Sequence, residues 1–130
     1  MVLVDTSVWI EVFRKPSKCD LESIVVFDEI ATCLPVIQEV LQGFQDSRAF
    51  RTAREAMYSF PVVESPLRSE IFDDAIDLFR SARRGGYTIR SSVDCLISAC
   101  AIRHHLEVIH RDRDFDSIAA VSSLKARNLK

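Results

Sequence analysis

Short apolar runs alternate along this chain with longer amphipathic stretches. Runs of β-branched and aromatic residues bounded by polar residues predict strands. The predicted strands are residues 1–5, a run that ends in an acid, and residues 30–34, 60–63 and 107–110. Strands that alternate with helices predict an α/β fold whose central parallel sheet has four or five strands joined by right-handed crossovers.

Helical periodicity fills the segments between these runs. The predicted helices are residues 8–13, 20–28, 35–44, 48–59, 67–84, 91–102 and 115–121. The helix after Ser91 is apolar nearly all round, so we expect it to be central. The long helix 67–84 and the first helix, with Trp9 and Phe13, carry more apolar positions than one sheet face needs. This excess predicts a surface for a partner.

Composition indicates one compact domain over residues 1–130, because 48% of the chain is apolar and 28% is charged. No run approaches the ~18 apolar residues that span a bilayer, and the N-terminus lacks the basic segment of a signal peptide. We therefore expect a cytoplasmic protein with no membrane partner. Four cysteines without zinc-ligand spacing are expected to be reduced thiols, namely Cys19, Cys33, Cys95 and Cys100.

Four acids occupy equivalent places on the predicted frame. Asp5 and Asp112 follow the first and fourth strands, and Glu39 and Asp94 lie in the first turns of helices. Because the carboxyl ends of parallel strands and the starts of the following helices share one edge of the sheet, the four carboxylates should face one crevice. Like charges there repel unless they are protonated or hold cations. An all-oxygen ligand set favours Mg²⁺ or Mn²⁺.

Each acid also has a purely structural interpretation. Asp5 and Asp112 are suitable helix N-caps, and Asp94 lies three residues after Ser91, as in a capping box. Glu39 lies at the edge of its helix's apolar stripe, where a solvated side chain is common. Two further acids beside arginines could form surface ion pairs, namely Asp114 and Asp116.

The charge balance permits an RNA partner without requiring one. The net charge is −2, and it becomes +2 once the four acids are assigned to cations. All but four of the 17 basic residues are arginines, whose planar fork suits phosphate. Arg83, Arg84 and Arg90 flank Gly85-Gly86 just before the helix that carries Asp94, so they are candidate RNA contacts. The alternative is a helix C-terminus with favourably placed cations.

Four motifs in order resemble those of PIN domains, and specifically the VapC-type toxins of bacterial toxin–antitoxin pairs. The motifs are Val-Asp-Thr-Ser-Val-Trp-Ile-Glu at the N-terminus and the segments at residues 38–43, 91–101 and 111–118. The resemblance implies a three-layer α/β/α sandwich and a metal-dependent endoribonuclease that forms homodimers and binds a VapB-type antitoxin. Asp5, Glu39, Asp94 and Asp112 match the family's acidic quartet. Asp114 matches a further acid of the site.

The residues also suggest which acid does what in such a site. We expect Asp5 and Asp94 to contact the metal directly, with Glu39 and Asp112 holding a second ion or orienting water. Thr6 or Ser7 could support these acids by hydrogen bonds. No serine or cysteine stands beside a convincing base. The histidines are interpreted as a helix end, at His104 and His105, and as a group near the substrate, at His110.

Two other functions compete with this interpretation. A haloacid-dehalogenase-like phosphatase also places an acid after its first strand, but it needs a second acid two residues on, where this chain has Ser7. The other rival is a regulatory module that binds metal, RNA or a partner's arginine without catalysis.

Overall fold

The computed structural model describes residues 1–130, and its centre is a parallel five-stranded sheet. The strand order is β3-β2-β1-β4-β5. The strands are β1 (Val2–Val4), β2 (Ile30–Cys33), β3 (Val62–Val63), β4 (Glu107–His110) and β5 (Ala126–Asn128). The parallel sheet predicted from the alternating pattern is confirmed.

Six helices cover the sheet. They are α1 (Thr6–Phe13), α2 (Leu34–Gln42), α3 (Ser47–Tyr58), α4 (Ser69–Arg84), α5 (Ser92–Arg103) and α6 (Arg113–Ala120). Helices α1, α2 and α3 pack along one another, and α4, α5 and α6 form a second packed group. Right-handed crossovers place these two groups on opposite faces of the sheet. The result is the three-layer α/β/α sandwich that the resemblance implied.

Strand β1 lies where the strand order reverses. Its neighbours are β2 on one side and β4 on the other, with Val2 paired to both Ile30 and Glu107. The backbone N–H of Asp5 donates to the carbonyl of Ile109 at 2.9 Å, so the carboxyl ends of β1 and β4 stay level. In open α/β sheets this reversal point opens the crevice that binds ligands.

The core explains why α5 is apolar around its whole circumference. Ile97 and Cys100 of α5 are fully buried, as are Leu3 of β1 and Ile109 of β4. A helix that is buried over most of its circumference needs little polar surface. The prediction that this helix is central is therefore correct, and its first turn, which carries Asp94, lies at the crevice edge of the sheet.

Three predicted elements differ from the structure. Residues 20–28 form two 3₁₀ turns, Leu21–Ser23 and Phe27–Glu29, because the β-branched pair Val25-Val26 and the short length oppose an α-helical nucleus. The segment after the last predicted helix contains β5, which was not predicted and which pairs with β4 through Val108 and Ala126. Helix α6 starts two residues earlier than predicted, because the side chain of Asp112 caps it.

Of the two aromatic residues of the first helix, Trp9 is buried and cannot contact a partner, whereas Phe13 is half-buried. Trp9 is buried, and its ring lies 5.8 Å from that of Phe13 and 5.4 Å from that of Phe60. Phe13 in turn meets the edge of Phe44. These rings form an aromatic cluster between α1, α2 and the segment that precedes β3.

The four cysteines are free thiols, and no helix has the length and apolarity to cross a bilayer.

Candidate metal centre

Three acids meet at the crevice edge of the sheet. Asp94, Asp112 and Asp114 each offer a carboxylate oxygen, and these oxygens all lie within 4.8 Å of one another. Asp94 stands in the first turn of α5, Asp112 caps α6, and Asp114 stands in the first turn of α6. The starts of two helices on the same side of the sheet therefore build the centre of the site.

Asp5 reaches the same edge from the end of β1. Its Oδ2 accepts hydrogen bonds from the Ser7 N–H at 3.0 Å and from the Ser7 hydroxyl at 2.6 Å. Ser7 Oγ in turn accepts the N–H of Arg111 at 3.0 Å, which ties the loop after β1 to the loop after β4. Asp5 is thus an N-cap, as its structural interpretation required, and its Oδ1 is buried without a partner.

Glu39 lies beside Asp5 and outside the group of three. Its Oε1 accepts the hydroxyl hydrogen of Thr6 at 2.8 Å, and Thr6 is buried at the start of α1. Burial raises the pKa of Asp5 and the charge of Glu39 adds to this effect, although hydrogen bonds from Ser7 and Thr6 oppose the shift. The hydrogen bond from Thr6 therefore holds the Glu39 carboxylate close enough to Asp5 for its charge to act on that residue.

The pKa of Asp94 is strongly perturbed by its surroundings. Burial raises its pKa to about 9, and the charges of Asp5 and Asp112 add to the shift. Its Oδ2 is buried without a hydrogen-bond partner. The Ser91 side chain makes no capping bond, so the capping box that could have accounted for Asp94 does not form.

Asp114 joins the start of α5 to the start of α6. It is 1% exposed, and its Oδ2 accepts the backbone N–H groups of Arg90 at 3.0 Å and Ser91 at 3.1 Å. Its own N–H donates to Asp112 Oδ1 at 2.9 Å. A surface ion pair does not describe this residue. Asp116, by contrast, is exposed and accepts a hydrogen bond from Asn128 Nδ2 at 2.8 Å.

His110 lies behind the site, so its interpretation as a group near the substrate is wrong. Its ring is fully buried against Phe115, with the ring centroids 5.1 Å apart. Its Nδ1 accepts the N–H of Asp112 at 3.1 Å, and burial lowers its pKa. A neutral His110 therefore shapes the backbone turn that presents Asp112. His104 and His105 lie just beyond the end of α5, as predicted.

The three arginines predicted to contact RNA separate into two places. Arg90 contacts the acids directly, with Nη2 at 2.8 Å from Asp112 Oδ1. Arg83 stacks on Phe79, and Arg84 donates to Ser81 Oγ at 3.2 Å, both on the exposed end of α4. The turn between them depends on Gly86, whose φ of 85° lies in the left-handed region.

The pairing of Arg90 with the acids was missed at the level of sequence. The partners are separated by 22 residues, and no local pattern links a loop before α5 to the cap of α6. The only available signal was the presence of opposite charges at two predicted helix starts.

The donor set fits a hard divalent cation. Two buried carboxylate oxygens, Asp5 Oδ1 and Asp94 Oδ2, have no hydrogen-bond partner, although buried polar atoms nearly always have one. The acidic side chains of the site offer only oxygen atoms as ligands, and oxygen is the ligand type that Mg²⁺ and Mn²⁺ prefer. A cation between these acids would satisfy the two oxygens and offset the repulsion that contributes to the raised pKa of Asp94.

Fold and site together define an open α/β protein with a carboxylate centre, suited to a divalent metal, at its topological switch point. The sequence model of the PIN domain family matches residues 2–121 of this chain. The chain belongs to the PIN domain family.

Named relatives and solved structures agree with this assignment. The chain is 37% identical over 141 aligned positions to VapC ribonuclease Mb1587 of Mycobacterium bovis, with 100% of each chain covered. It has the same identity and coverage with ribonuclease VapC11 of Mycobacterium tuberculosis. The solved VapBC-5 toxin–antitoxin structure from Mycobacterium tuberculosis shares the fold, with a TM-score of 0.73, 19% identity and 98% coverage of both chains.

Proposed function

We propose that this protein is a metal-dependent endoribonuclease, the toxin of a VapBC-type toxin–antitoxin pair, acting in the cytoplasm as one domain over residues 1–130. The observation that carries the proposal is the convergence of buried acids with two unpartnered carboxylate oxygens at the switch point of the sheet. The names of the 37% identical relatives, which are ribonucleases, support the choice of RNA as substrate.

Asp5 and Asp94 are the residues proposed to hold Mg²⁺ or Mn²⁺ directly, because each keeps one buried oxygen free of hydrogen bonds. Glu39 and Asp112 would hold a second ion or orient water, and Asp114 lies close enough to Asp94 and Asp112 to add an oxygen. When bound, a divalent ion supplies a nucleophilic water at neutral pH and neutralises charge that develops on the phosphodiester.

The chain's own side chains keep the carboxylates in place. Ser7 fixes Asp5 through two hydrogen bonds, and Thr6 holds Glu39 at 2.8 Å. Such supporting contacts restrict the rotamers of ligands and tune their basicity. Because both supports come from the first turn of α1, one short segment orients two of the four acids. Arg90, Arg83 and Arg84 are proposed to contact RNA phosphates.

The phosphatase alternative lacks its second acid. Ser7 occupies the required position, and its hydroxyl is used to hold Asp5 and to accept the Arg111 N–H. No carboxylic acid is available at that position to protonate a leaving group. Phosphodiester hydrolysis assisted by metal needs no such acid on the protein at that place.

A homodimer and a VapB-type antitoxin are the proposed protein partners. Helix α4 exposes Phe72 and Ile76, with 47% and 56% of their surfaces accessible. They border an apolar groove of about 490 Å³ between α4 and α5, which Arg80 and Arg83 flank. Apolar patches of this kind mark interaction surfaces. The solved neighbours include a toxin–antitoxin complex from Klebsiella pneumoniae, 25% identical with a TM-score of 0.69 and coverage of 88% of this chain and 90% of that one.

Cleavage of cellular RNA on a gel tests the enzymatic proposal. We expect cleavage by the wild-type protein with Mg²⁺ or Mn²⁺, none with a chelator, and none with Asp5→Asn. The matched control is Asp116→Asn, since Asp116 is exposed and its Oδ2 accepts a hydrogen bond from Asn128. Metal binding without cleavage in the wild type would instead favour a non-catalytic regulatory module.

A further inference from the structure

One basic side chain, that of Arg90, reaches the acidic centre. Its Nη2 lies 2.8 Å from Asp112 Oδ1 and its Nε lies 3.5 Å from Asp114 Oδ1. No other lysine or arginine of the chain forms an ion pair with either acid, or with Asp5 or Asp94. The side chains of Arg90 and Asp112 are 54% and 30% exposed, whereas that of Asp114 is 1% exposed, so the guanidinium group lies on the solvent side of the site.

The backbone keeps this guanidinium group beside the site. The N–H of Arg90 donates to Asp114 Oδ2 at 3.0 Å, and the N–H of Ser91 donates to the same oxygen at 3.1 Å. These two bonds do not depend on the conformation of the Arg90 side chain. The side chain can therefore leave Asp112 and turn toward solvent while its attachment point stays at the start of α5.

Arg90 and a divalent cation would draw on the same carboxylate. Asp112 Oδ1 already accepts the Asp114 N–H at 2.9 Å and the Arg90 guanidinium group at 2.8 Å. A doubly charged ion placed among Asp94, Asp112 and Asp114 would repel a guanidinium group held a few ångströms away. Occupation by metal and the Arg90–Asp112 ion pair therefore oppose each other.

We propose that Arg90 is an internal counter-ion of the metal centre. It pairs with Asp112 when no divalent ion is bound, is displaced when the ion binds, and then contacts a phosphate of the RNA. The last step rests on the proposed ribonuclease function. A guanidinium group suits both partners, because it forms short, charge-assisted hydrogen bonds to carboxylate and to phosphate. Metal and RNA then bind with positive coupling, since the ion releases the group that RNA needs.

Direct measurement of metal binding tests the proposal without any cleavage assay. Metal-free protein is titrated with Mn²⁺, and the free ion is followed by its electron paramagnetic resonance signal. We expect Arg90→Ala to bind Mn²⁺ about 3–10 times more tightly than the wild type, which corresponds to ~0.6–1.4 kcal/mol. Arg90→Lys should fall between the two, because it keeps the charge and loses the fork.

Arg113→Ala is the matched control. Arg113 is exposed and lies between Asp112 and Asp114 in the chain, but its side chain forms no ion pair with the acids, so this variant removes the same charge without removing such a contact. Its affinity for Mn²⁺ should change less than about twofold, since an exposed charge is screened by solvent and salt. Equal tightening in Arg113→Ala and Arg90→Ala would reduce the effect to net charge and overturn the proposal.

Binding of a 2′-O-methyl RNA oligonucleotide, followed by fluorescence anisotropy, tests the second half. Mn²⁺ should strengthen RNA binding more in the wild type than in Arg90→Ala. Unchanged or weaker Mn²⁺ binding in Arg90→Ala would mean that Arg90 only positions Asp112, and the proposal fails while the metal centre stands. If the wild type binds no Mn²⁺ at millimolar concentration, the metal-dependent function fails as well.

Discussion

Ionising a buried carboxylate in this site costs electrostatic free energy that the surrounding protein does not offset. Asp94 is 6% exposed, and the nearby charges of Asp5 and Asp112 oppose its ionisation. Its pKa of about 9 means that the metal-free protein keeps Asp94 protonated at neutral pH. A proton or a metal ion must therefore occupy the site, and the two compete for the same oxygen atoms.

The pH dependence of stability follows from this shift. The folded-state pKa of Asp94 is raised to about 9 from its ordinary 3.8, so between these values the folded chain holds a proton that the unfolded chain releases. The stabilising contribution is complete below pH 3.8, and it is lost as the pH rises toward and through about 9. Asp5, whose pKa is also raised, acts in the same direction.

We predict that Asp94→Asn is more stable than the wild type at about pH 8 in the presence of a chelator. The amide cannot ionise, so the variant escapes the cost of the buried charge. Thermal melts from about pH 5 to pH 9 should show a flatter profile for the variant. The gain near pH 8 should be several degrees, given roughly 2–8 °C per kcal/mol. Parallel profiles for variant and wild type would contradict a raised pKa at Asp94.

A second prediction concerns metal. Mg²⁺ or Mn²⁺ should raise the melting temperature of the wild type, because the ion binds the folded site and not the unfolded chain. Asp94→Asn should lose most of this gain, and Asp116→Asn should keep it, since Asp116 is exposed. Melting curves with and without about 5–10 mM metal measure the difference. This concentration is on the order of ten times a millimolar Kd. Equal stabilisation of both variants would remove Asp94 from the metal ligands.

Secondary-structure elements position the site through their ends. Strands β1 and β4 end side by side, and helices α5 and α6 begin there. The carboxylate of Asp114 connects the two helix starts by accepting two backbone N–H groups. The acids therefore belong to elements whose relative positions are set by a buried core, which favours a preorganised metal centre.

The turn at the end of α4 supports a prediction about RNA binding. Arg83 and Arg84 are exposed there, and neither forms an ion pair with the acids. Replacing both by alanine should weaken RNA binding and flatten its salt dependence, by ~0.7 units of slope for each phosphate of single-stranded RNA that the variant no longer neutralises. Filter binding at several salt concentrations measures the slope, and metal stabilisation should stay intact.

Arg48 and Arg51 of α3 offer a matched control pair, because they are also exposed and lie on a different helix. Their double alanine variant should leave the salt slope unchanged. If instead the Arg48 and Arg51 variant flattens the salt dependence and the Arg83 and Arg84 variant does not, the contacts to the RNA backbone lie on α3. The turn after Arg84 then serves only as a helix terminus.

At the scale of the whole molecule, α4 exposes two large apolar side chains beside an apolar groove. Its inner face packs on α5 through buried residues such as Ile71 and Ala75, while Phe72 and Ile76 remain accessible. In α1, by contrast, the Trp9 ring is buried against Phe13 and Phe60. A dimer interface is therefore expected on α4.

We predict that the wild type is a dimer at micromolar concentration and that Ile76→Asp shifts it to monomer. An unpaired charge buried at an apolar interface costs far more free energy than the Ile76 methyl groups contribute by packing there. Val26→Asp is the matched control, because Val26 is 64% exposed and lies outside α4. Light scattering reports the mass, and a monomeric wild type or a dimeric Ile76→Asp variant would each contradict the prediction.

The sequence by itself determined the main elements and the place of four acids. Local patterns suffice for this, because hydrophobic period distinguishes strand from helix and the end of an element is marked by nearby residues. Asp5, Glu39, Asp94 and Asp112 were located by such ends, and their membership of the site remains a prediction that the geometry supports. Residues 20–28 were misassigned, since a short apolar segment has no reliable period.

Tertiary structure decided what the side chains do at that edge. Ser7 links to Arg111 across 104 residues, and Arg90 links to Asp112 across 22, so no local pattern records either contact. Whether an aromatic or imidazole ring is buried also depends on distant partners, as Trp9 and His110 show. The physical reason is that burial and pairing arise from packing between elements, whereas periodicity describes only the elements before they pack.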